Sequence, residues 1–339
     1  MTGGEDAFLL EIHDLRISLM LGSGHIDVID RASLAIRPGE VLALVGESGS
    51  GKSVTAQSIL RLLPRELRIT SGRILFRPQP GAAPIDLTSL AADGAEMRRI
   101  RGNRIAMIFQ EPMSSFSPLH TIGNQIGDVL RLHRKLGGTA LRRAASELLD
   151  KVGIADPAHA IDRYPHEFSG GMRQRAMIAK ALACDPALLI ADEPTTALDV
   201  TIQAQILDLM RRLQRELGMA IIFITHDLGV VAQMADRVAI MYTGKIVETG
   251  SVRDIFKRPS HPYTSSLLRA VPRLGRLRHW RDLQPIQGAV PSLYNLPSGC
   301  SFHPRCDAVI EGLCARDVPA PRRVDAGHSA SCHRIGEAG

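Results

Sequence analysis

The stretch VGESGSGKS, residues 45–53, has the spacing of a phosphate-binding loop, with glycines at 46 and 51 before Lys52 and Ser53. The apolar run VLALV precedes it and the helical pattern VTAQSILRLL follows it, which is the context that such a loop requires. Its backbone N–H groups and the helix N-terminus would face phosphate oxygens. Lys52 is expected to reach the β- and γ-phosphates, and the Ser53 hydroxyl to ligate Mg²⁺. The predicted nucleotide contacts are Gly46, Glu47, Ser48, Gly49, Ser50, Gly51, Lys52, Ser53 and Val54.

Two adjacent carboxylates follow another apolar run, in the sequence LLIADEP. A strand that delivers Asp192 and Glu193 at its C-terminal end suits a Mg²⁺ ligand beside a base that polarises water. Asp192 is predicted to hold the metal, and Glu193 to orient or deprotonate the attacking water. Acidic residues also cap turns, but together with the phosphate-binding loop the pair predicts hydrolysis of a nucleoside triphosphate.

Residues 168–175 read FSGGMRQR and include no carboxylate and no metal ligand. Ser169, Gly170 and Gly171 open a helical pattern, and small residues at a helix N-terminus let a phosphate approach backbone donors closely. Since the phosphate-binding loop is already expected to bind one nucleotide, a second phosphate-binding helix N-terminus suggests contact with a different nucleotide. The stretch resembles the signature motif of the ATP-binding-cassette (ABC) family.

This resemblance implies a head-to-tail dimer in which each signature closes on ATP held by the other subunit. Ser169, Gly170 and Gly171 would then contact ATP in trans, as would Asp199 of the D-loop sequence TTALD. Gln110, in IFQEP, corresponds to the Q-loop residue that contacts Mg²⁺ and couples to membrane subunits. His226, in ITHD, corresponds to the switch histidine that contacts the γ-phosphate and is expected to take part in catalysis.

One feature departs from the family pattern. The family commonly stacks adenine on an aromatic residue upstream of the phosphate-binding loop, but the segment LGSGHIDVID has none. The nearest equivalent position is Ser23, so selectivity for ATP over other nucleoside triphosphates is expected to be loose.

Short apolar runs alternate with helical patterns over the first 250 residues, which predicts an α/β fold with covered central strands. Between residues 121 and 168 no strand pattern occurs. Two segments there show the hydrophobic periodicity of a helix, which predicts a helical insert. We therefore expect an ABC nucleotide-binding domain at 1–258, with a helical subdomain at about 111–183. A small, loop-rich C-terminal extension is expected at 259–339. The predicted strands are 41–45, 104–109, 187–191, 219–225 and 237–242.

Charge and hydropathy limit the class of protein. The formal net charge is +6, and positive charge is concentrated without an acid only at 269–281, which we interpret as a solvated surface and not as a nucleic-acid site. No apolar run reaches the length of a membrane-spanning helix. The acidic start of the sequence lacks the basic segment of a secretory signal, so a cytosolic chain is expected.

The resemblance and the chain length together narrow the transport class. Exporters usually fuse the cassette to membrane helices, and translation-factor relatives carry two cassettes. Chromosome-maintenance relatives insert long coiled coils, yet only 116 residues separate Lys52 from Ser169. A separate ATPase subunit of an importer is therefore the expected class, peripheral to the cytoplasmic face of the cell membrane.

The sequence RPSHPYTSSLLRAVP, 258–272, resembles the extension of dipeptide and oligopeptide importer ATPases. The expected function is hydrolysis of ATP to power uptake of these peptides. The resemblance implies two permease subunits, an extracytoplasmic binding protein and a second, related ATPase subunit. Importers of nickel or glutathione are the alternative within the family, and a soluble regulatory ATPase is the alternative outside transport.

Four of the five cysteines, Cys300, Cys306, Cys314 and Cys332, fall in the proline-rich tail. In a cytosolic chain such clustering favours a metal over disulfides. Four thiolates suit a 4Fe–4S cluster; zinc and free packed thiols are the alternatives. The apolar runs of the tail are short, so metal–thiolate bonds are expected to staple it.

Overall fold

The computed structural model describes residues 8–22, 24–79, 81–110, 115–196, 198–270 and 286–336. The strands are β1 Leu10–Leu21, β2 Gly24–Ile36, β3 Val41–Val45, β4 Leu67–Phe76, β5 Ile85–Asp86, β6 Ile105–Ile108, β7 Leu188–Asp192, β8 Ala220–Thr225, β9 Arg237–Tyr242, β10 Lys245–Ser251, β11 Arg322–Asp325 and β12 His328–Ala330. The helices are α1 Lys52–Ile59, α2 Ala95–Ile100, α3 Ile122–Arg134, α4 Gly138–Lys151, α5 Pro157–Ala160, α6 Gly170–Ala181, α7 Val200–Leu217, α8 Leu228–Met234, α9 Val252–Lys257 and α10 Pro262–Ala270. None of the helices in these ranges is both long and apolar enough to span a bilayer.

The chain divides into two compact units. The first unit comprises Met1–Leu10, Ile36–Val41 and Leu75–Ile224. Its parallel strands β6, β7 and β8 are adjacent in that order, and every side chain of β7 and β8 is buried. Continuous apolar strands of this kind form where a parallel sheet is covered on both faces.

A group of helices in the first unit interrupts the strand pattern, as predicted for residues 121–168. Helices α3 and α4 are amphipathic and bury Ile126, Leu130, Ala145 and Leu149. Thr121 caps α3, since its side chain accepts a hydrogen bond from the N–H of Asn124. The two sequence segments with helical periodicity thus correspond to α3 and α4, which the short segment 135–137 joins.

The second unit comprises Glu11–Ala35, Leu42–Ile74 and Thr225–Gly339. In its main sheet β3 pairs with β9 in parallel, β9 pairs with β10 antiparallel, and β10 pairs with β12 antiparallel. Strand β11 completes the sheet beside β12. The last two described strands, β11 and β12, therefore belong to the same sheet as β3, the strand before the phosphate-binding loop.

The tail packs on the strands that precede it, although its own apolar runs are short. Phe302 and Tyr263 are fully buried and pack with Tyr242 in a cluster that includes Val45 of β3 and Val247 of β10. The ring centroids of Tyr242 and Tyr263 are 4.6 Å apart, and those of Tyr242 and Phe302 are 5.3 Å apart. The apolar runs of the tail are indeed short, but a few aromatic side chains bury large areas against strands of the preceding chain.

Candidate functional site

The phosphate-binding loop lies in the second unit, between β3 and α1. Gly49 and Gly51 have φ angles of 76° and 104°, and Gly51 is the N-cap of α1. A Cβ atom at Gly46 would lie 2.2 Å from the carbonyl oxygen of Met241, so only glycine fits where the loop begins. The loop therefore curls into the N-terminus of α1, the arrangement in which backbone N–H groups can bind phosphate.

Lys52 is held by the loop itself. Its Nζ atom donates to the carbonyl oxygens of Gly46 and Glu47, at 2.8 and 2.9 Å, and lies 3.5 Å from Oγ of Ser50. Lys52 is buried, whereas Ser48 and Gly49 at the tip of the loop are exposed. A buried ammonium group beside glycine backbone is suited to bind phosphate oxygens. Ser53 and Val54 are half-buried in the first turn of α1.

The carboxylate pair lies in the first unit at the end of β7, where the sequence placed it. Asp192 is the last residue of the strand and its side chain is buried, 3% exposed. Glu193 follows with φ at 46°, a left-handed conformation that is strained for a residue other than glycine. Its N–H donates to the carbonyl oxygen of Ile224 in β8 at 3.0 Å, which holds the residue beside the end of the sheet.

Gln110 and Glu193 are brought together. Nε2 of Gln110 donates to Oε2 of Glu193 at 3.1 Å, and the hydroxyl of Thr196 donates to the same oxygen at 2.9 Å. These donors fix the carboxylate orientation, as a base that positions water requires. The sequence resemblance predicted a role for Gln110 but gave no indication of Thr196, which is assigned only by this contact.

The switch histidine lies in the second unit and is exposed. His226 follows β8 and precedes Asp227, which caps α8 by accepting hydrogen bonds from the N–H groups of Gly229 and Val230. The cap fixes the backbone where the histidine side chain leaves the strand. His226 and the phosphate-binding loop thus belong to the second unit, and Gln110, Asp192 and Glu193 to the first.

The signature stretch lies in the first unit at the start of α6. Ser169 is the N-cap, and its hydroxyl accepts from the N–H of Met172 at 3.3 Å. Ser169 and Gly170 are exposed, and a Cβ atom at Gly171 would lie only 2.9 Å from Cγ2 of Ile202 in α7. Gly171 therefore permits close packing of the two helices.

Asp199 is likewise exposed and caps α7 by accepting from the N–H of Ile202 at 2.9 Å. The next residue, Val200, is 84% exposed. The N-termini of α6 and α7 in the first unit thus present Ser169, Gly170, Asp199 and Val200 at the surface.

The predicted metal centre in the tail is not assembled in the structure. All four tail cysteines are free thiols, and over the described ranges no three histidine, cysteine or acidic side chains are grouped so that they could hold a metal ion. Two of the sulfur atoms accept backbone hydrogen bonds instead: Sγ of Cys306 from Ala308 and Sγ of Cys314 from Ile310. Burial raises the pKa of Cys306 to about 11, and it also raises the pKa of Cys300 and Cys332.

Two groups of contacts between the tail and earlier residues were not predicted. The first surrounds Glu248 in β10, which is fully buried and accepts from the N–H groups of Ser260 and His261 and from Nε2 of His328. The second joins Arg305 to Glu47 of the phosphate-binding loop. The sequence analysis had singled out only the motif HPYT, which supplies His261 to the first group. Residues 271–281 of the basic segment and Ser23, named for adenine contact, lie outside the described residues.

Comparison with protein families adds two matches. Residues 29–196 match the model described as ABC transporter, and residues 247–314 match the model described as oligopeptide/dipeptide transporter, C-terminal region. The first match includes the phosphate-binding loop, the signature stretch and the carboxylate pair. The second includes the tail from its start to Cys314.

Similar proteins and structures agree with these matches. A putative peptide import ATP-binding protein of Brucella melitensis is 53% identical over 331 residues, covering 96% of this chain and 97% of that protein. The dipeptide transport ATP-binding protein DppD of Bacillus subtilis is 47% identical, covering 96% and 94% respectively. A solved ATP-binding cassette, dimeric and bound to ADP and Pi, is 27% identical with a TM-score of 0.62, covering 72% of this chain and 99% of that one. A cassette of an ABC transporter complex from Clostridium perfringens is 28% identical with a TM-score of 0.61, covering 74% and 91%.

Proposed function

Since this chain belongs to the ABC transporter ATPases, and to the branch with the oligopeptide/dipeptide transporter C-terminal region, we propose that it powers peptide import. Hydrolysis of ATP would drive dipeptides or oligopeptides through separate permease subunits. The observation that carries the proposal is the presence of both matched regions in one chain, 29–196 and 247–314.

Transport by the assembled complex tests this proposal. The tagged chain would be purified from solubilised membranes with whatever permeases accompany it, and the complex reconstituted into liposomes with ATP at the ATPase side. A binding protein and a radiolabelled dipeptide would be supplied at the other side. ATP-dependent uptake of the dipeptide, absent in a Lys52→Ala complex, supports the proposal. Uptake of Ni²⁺ or glutathione without dipeptide uptake would contradict the peptide assignment, and purification without any membrane protein would contradict transport.

We propose the following roles at the nucleotide. The loop residues Gly46 to Val54 surround the phosphates, and Lys52 neutralises the β- and γ-phosphate charge. The hydroxyl of Ser53, the carboxylate of Asp192 and the amide oxygen of Gln110 suit Mg²⁺, which prefers oxygen ligands. Support comes from the glycine geometry of the loop and from the buried position of Asp192.

Glu193 is proposed as the base that accepts a proton from the attacking water, and His226 as the group that contacts the γ-phosphate. The hydrogen bonds from Gln110 and Thr196 support the first role, because they hold the carboxylate in one orientation. Mg²⁺, when bound, would offset the charge that develops on the phosphate oxygens.

A second ATPase subunit completes the proposed site. Ser169, Gly170, Gly171 and Asp199 would contact ATP held by that subunit, which we propose to be a related chain. The exposure of Ser169, Gly170, Asp199 and Val200 and the dimeric form of a similar solved cassette support this arrangement. The ATP-binding domain is proposed to end near residue 258 and the extension to occupy 259–339.

Permease contact is proposed for the first unit. An apolar groove of about 490 Å³ there is lined by Met107, Phe109 and Met177, next to the segment that carries Gln110. Phe109 is 41% exposed and Leu119 is 80% exposed. Docking of a permease segment in this groove would place the chain at the cytoplasmic face of the membrane, with the solute-binding protein on the opposite side.

A metal centre at the four tail cysteines is a separate proposal, with a 4Fe–4S cluster ahead of zinc. Its support is that the N–H of Cys300 donates to the carbonyl oxygen of Cys314 at 2.8 Å, which makes these two cysteines neighbours in the tail. Iron, sulfide and zinc analysis of anaerobically purified chain tests it: metal that is lost in Cys306→Ser supports it, and metal-free chain with a protease-resistant tail contradicts it.

A further inference from the structure

Glu47, the second residue of the phosphate-binding loop, is held at three separate points. Its backbone N–H donates to the hydroxyl of Tyr263 at 3.0 Å, and its carbonyl oxygen accepts from Nζ of Lys52 at 2.9 Å. Its carboxylate accepts two hydrogen bonds from Arg305, Nη1 to Oε2 at 2.8 Å and Nη2 to Oε1 at 3.1 Å. Two of the three contacts come from the tail, more than 200 positions later in the sequence.

Arg305 is buried and has little freedom to reorient. Its side chain is only 4% exposed, whereas that of Glu47 is 26% exposed. Nε donates to the carbonyl oxygen of Gln287 at 3.0 Å, and Nη1 lies 3.3 Å from the hydroxyl of Tyr242. The guanidinium also lies over the rings of Tyr242 and Phe302, 5.8 and 6.0 Å from their centroids. A two-pronged guanidinium–carboxylate pair of this kind is stronger and more directional than an exposed ion pair.

The backbone that carries Arg305 is itself anchored. The N–H of Cys300 donates to the carbonyl oxygen of Cys314 at 2.8 Å, and the hydroxyl of Thr243 donates to Ser301 at 2.8 Å in a buried position. His303–Arg305 forms one turn of 3₁₀-helix, which fixes the direction of the arginine side chain. The segment 300–306 is thus attached to the turn after β9 and to the following tail residues.

Tyr263 is anchored in the same cluster. It is fully buried, and its N–H donates to Nδ1 of His261 at 3.0 Å. Burial strongly raises the pKa of the Tyr263 phenol, so the hydroxyl stays protonated and can accept from Glu47 as a neutral group. The Glu47 carboxylate strongly raises the pKa of Arg305 in turn, so this guanidinium stays charged.

We propose that Arg305 and Tyr263 are positioning residues for the phosphate-binding loop, so that the C-terminal extension sets the affinity of the chain for ATP. They act through Glu47, fixing the carbonyl group on which Lys52 is held and the start of the loop after Gly46. The proposal rests on ATP binding by this loop and is independent of which solute is transported.

The physical reason is preorganisation. A phosphate-binding loop binds tightly when its N–H groups already converge before the ligand arrives, because no conformational freedom is then lost on binding. Loss of Arg305 would leave the Glu47 carboxylate without its charged partner and free the loop to rotate. Loss of the Tyr263 hydroxyl would leave a backbone N–H without its acceptor.

Equilibrium binding of a fluorescent ATP analogue with Mg²⁺ to the full chain tests the proposal. Arg305→Ala is expected to raise the dissociation constant by about ten-fold, because a buried charged partner is removed. Arg305→Lys keeps the positive charge but cannot form the bidentate pair with Glu47. It is expected to raise the dissociation constant by a smaller factor. Tyr263→Phe keeps the packing and is expected to weaken binding by about three- to ten-fold, the range for one hydrogen bond.

A double-substitution cycle separates positioning from general stability. In a Glu47→Gln chain the charged partner of Arg305 is already gone, so the further change Arg305→Ala is expected to alter the dissociation constant by less than about two-fold. Arg269→Ala, which removes an exposed ion pair with Asp307 in the same tail, is the matched control and is expected to leave ATP binding unchanged.

Two results would overturn the proposal. One is the same weakening by Arg305→Ala in the wild-type and Glu47→Gln chains. The other is a lowered unfolding temperature in Arg305→Ala and Arg305→Lys with wild-type ATP affinity, which would assign the arginine to stability alone. Because the assay measures nucleotide binding without permeases, neither result bears on the proposed peptide transport.

Discussion

At the scale of single residues, strain and hydrogen bonding converge on Glu193. Its left-handed backbone and its two side-chain donors, Gln110 and Thr196, hold one carboxylate orientation at the end of β7. A left-handed backbone conformation is unfavourable for glutamate and persists only where surrounding contacts hold it. Residues in such conformations are concentrated at functional sites.

Glu193→Gln is expected to preserve ATP binding and to lower the rate of hydrolysis by about 10²- to 10⁴-fold, because an amide cannot accept the proton of water. Single-turnover hydrolysis by the assembled transport complex, with ATP binding measured in parallel, checks this. Glu96→Gln, at an exposed position in α2, is the control. Hydrolysis within a few-fold of the wild-type rate would exclude Glu193 as the base.

His261 makes stability depend on pH. Burial lowers its pKa from 6.5 to about 4, and its Nδ1 accepts from the N–H of Tyr263, so the folded chain holds the neutral ring. Between pH 6.5 and 4 the unfolded chain binds a proton that the folded chain does not. This histidine therefore lowers the free energy of unfolding as pH falls, by at most about 1.4 kcal/mol per pH unit.

Denaturant unfolding at pH 7 and pH 5 measures this contribution. His261→Asn, whose side-chain oxygen can accept the same hydrogen bond, is expected to lose less stability than the wild type between the two pH values. The control His25→Asn changes an exposed ring and is expected to keep the wild-type pH dependence. Equal pH dependence in all three chains would show that His261 is not the group responsible.

At the scale of elements, the buried strands were predictable and the exposed ones were not. The five predicted strands correspond to β3, β6, β7, β8 and β9 within one or two residues, because each is a continuous apolar run. The short strands β5, β11 and β12 were missed, and so were β10 and the long strands β1, β2 and β4. The reason is clearest for the last three. Their side chains alternate irregularly between buried and exposed positions, and charged residues interrupt the apolar pattern.

The close approach of α6 and α7 gives a prediction at this scale. Gly171→Ala is expected to lower the free energy of unfolding by about 1–3 kcal/mol, because its Cβ would collide with Ile202. At Gly170 the nearest atom, Cδ2 of Leu198, lies 3.8 Å from an added Cβ. Gly170→Ala is therefore the matched control, expected to stay within about 1 kcal/mol of the wild type. Equal unfolding midpoints for the two variants would contradict the proposed steric limit.

At the scale of the whole molecule, the nucleotide motifs were identifiable from sequence because each is a short, local pattern. The contact between Arg305 and Glu47 was not, since 258 positions separate the two residues and an arginine in a proline-rich tail carries no local signal. The packing of the tail was not predictable either, for a related reason. The spacing of the four cysteines suggested a metal staple, whereas the order of that segment rests also on the packing of Phe302 and Tyr263.

Ser169→Arg tests the proposed contact between subunits. The added cation would occupy the space of a partner's γ-phosphate, so ATP binding by the variant subunit is expected to stay within about two-fold of wild type, since its own loop is unchanged. In a complex with one variant subunit, nucleotide trapping is expected to be lost at the partner's phosphate-binding loop. Trapping lost at the variant's own loop, with the partner's loop normal, would contradict contact in trans.

The buried carboxylate of Glu248 makes the tail hard to exchange by recombination. It lies in β10, yet the donors that it accepts from, Ser260, His261 and His328, all come after residue 258. A crossover at residue 258 would separate this acid from its donors unless the incoming tail supplied equivalent ones, and an uncompensated buried charge is strongly destabilising. We therefore expect β10 and the tail to be exchanged together. In fusions between genes of this family, the junction is expected to lie upstream of Glu248.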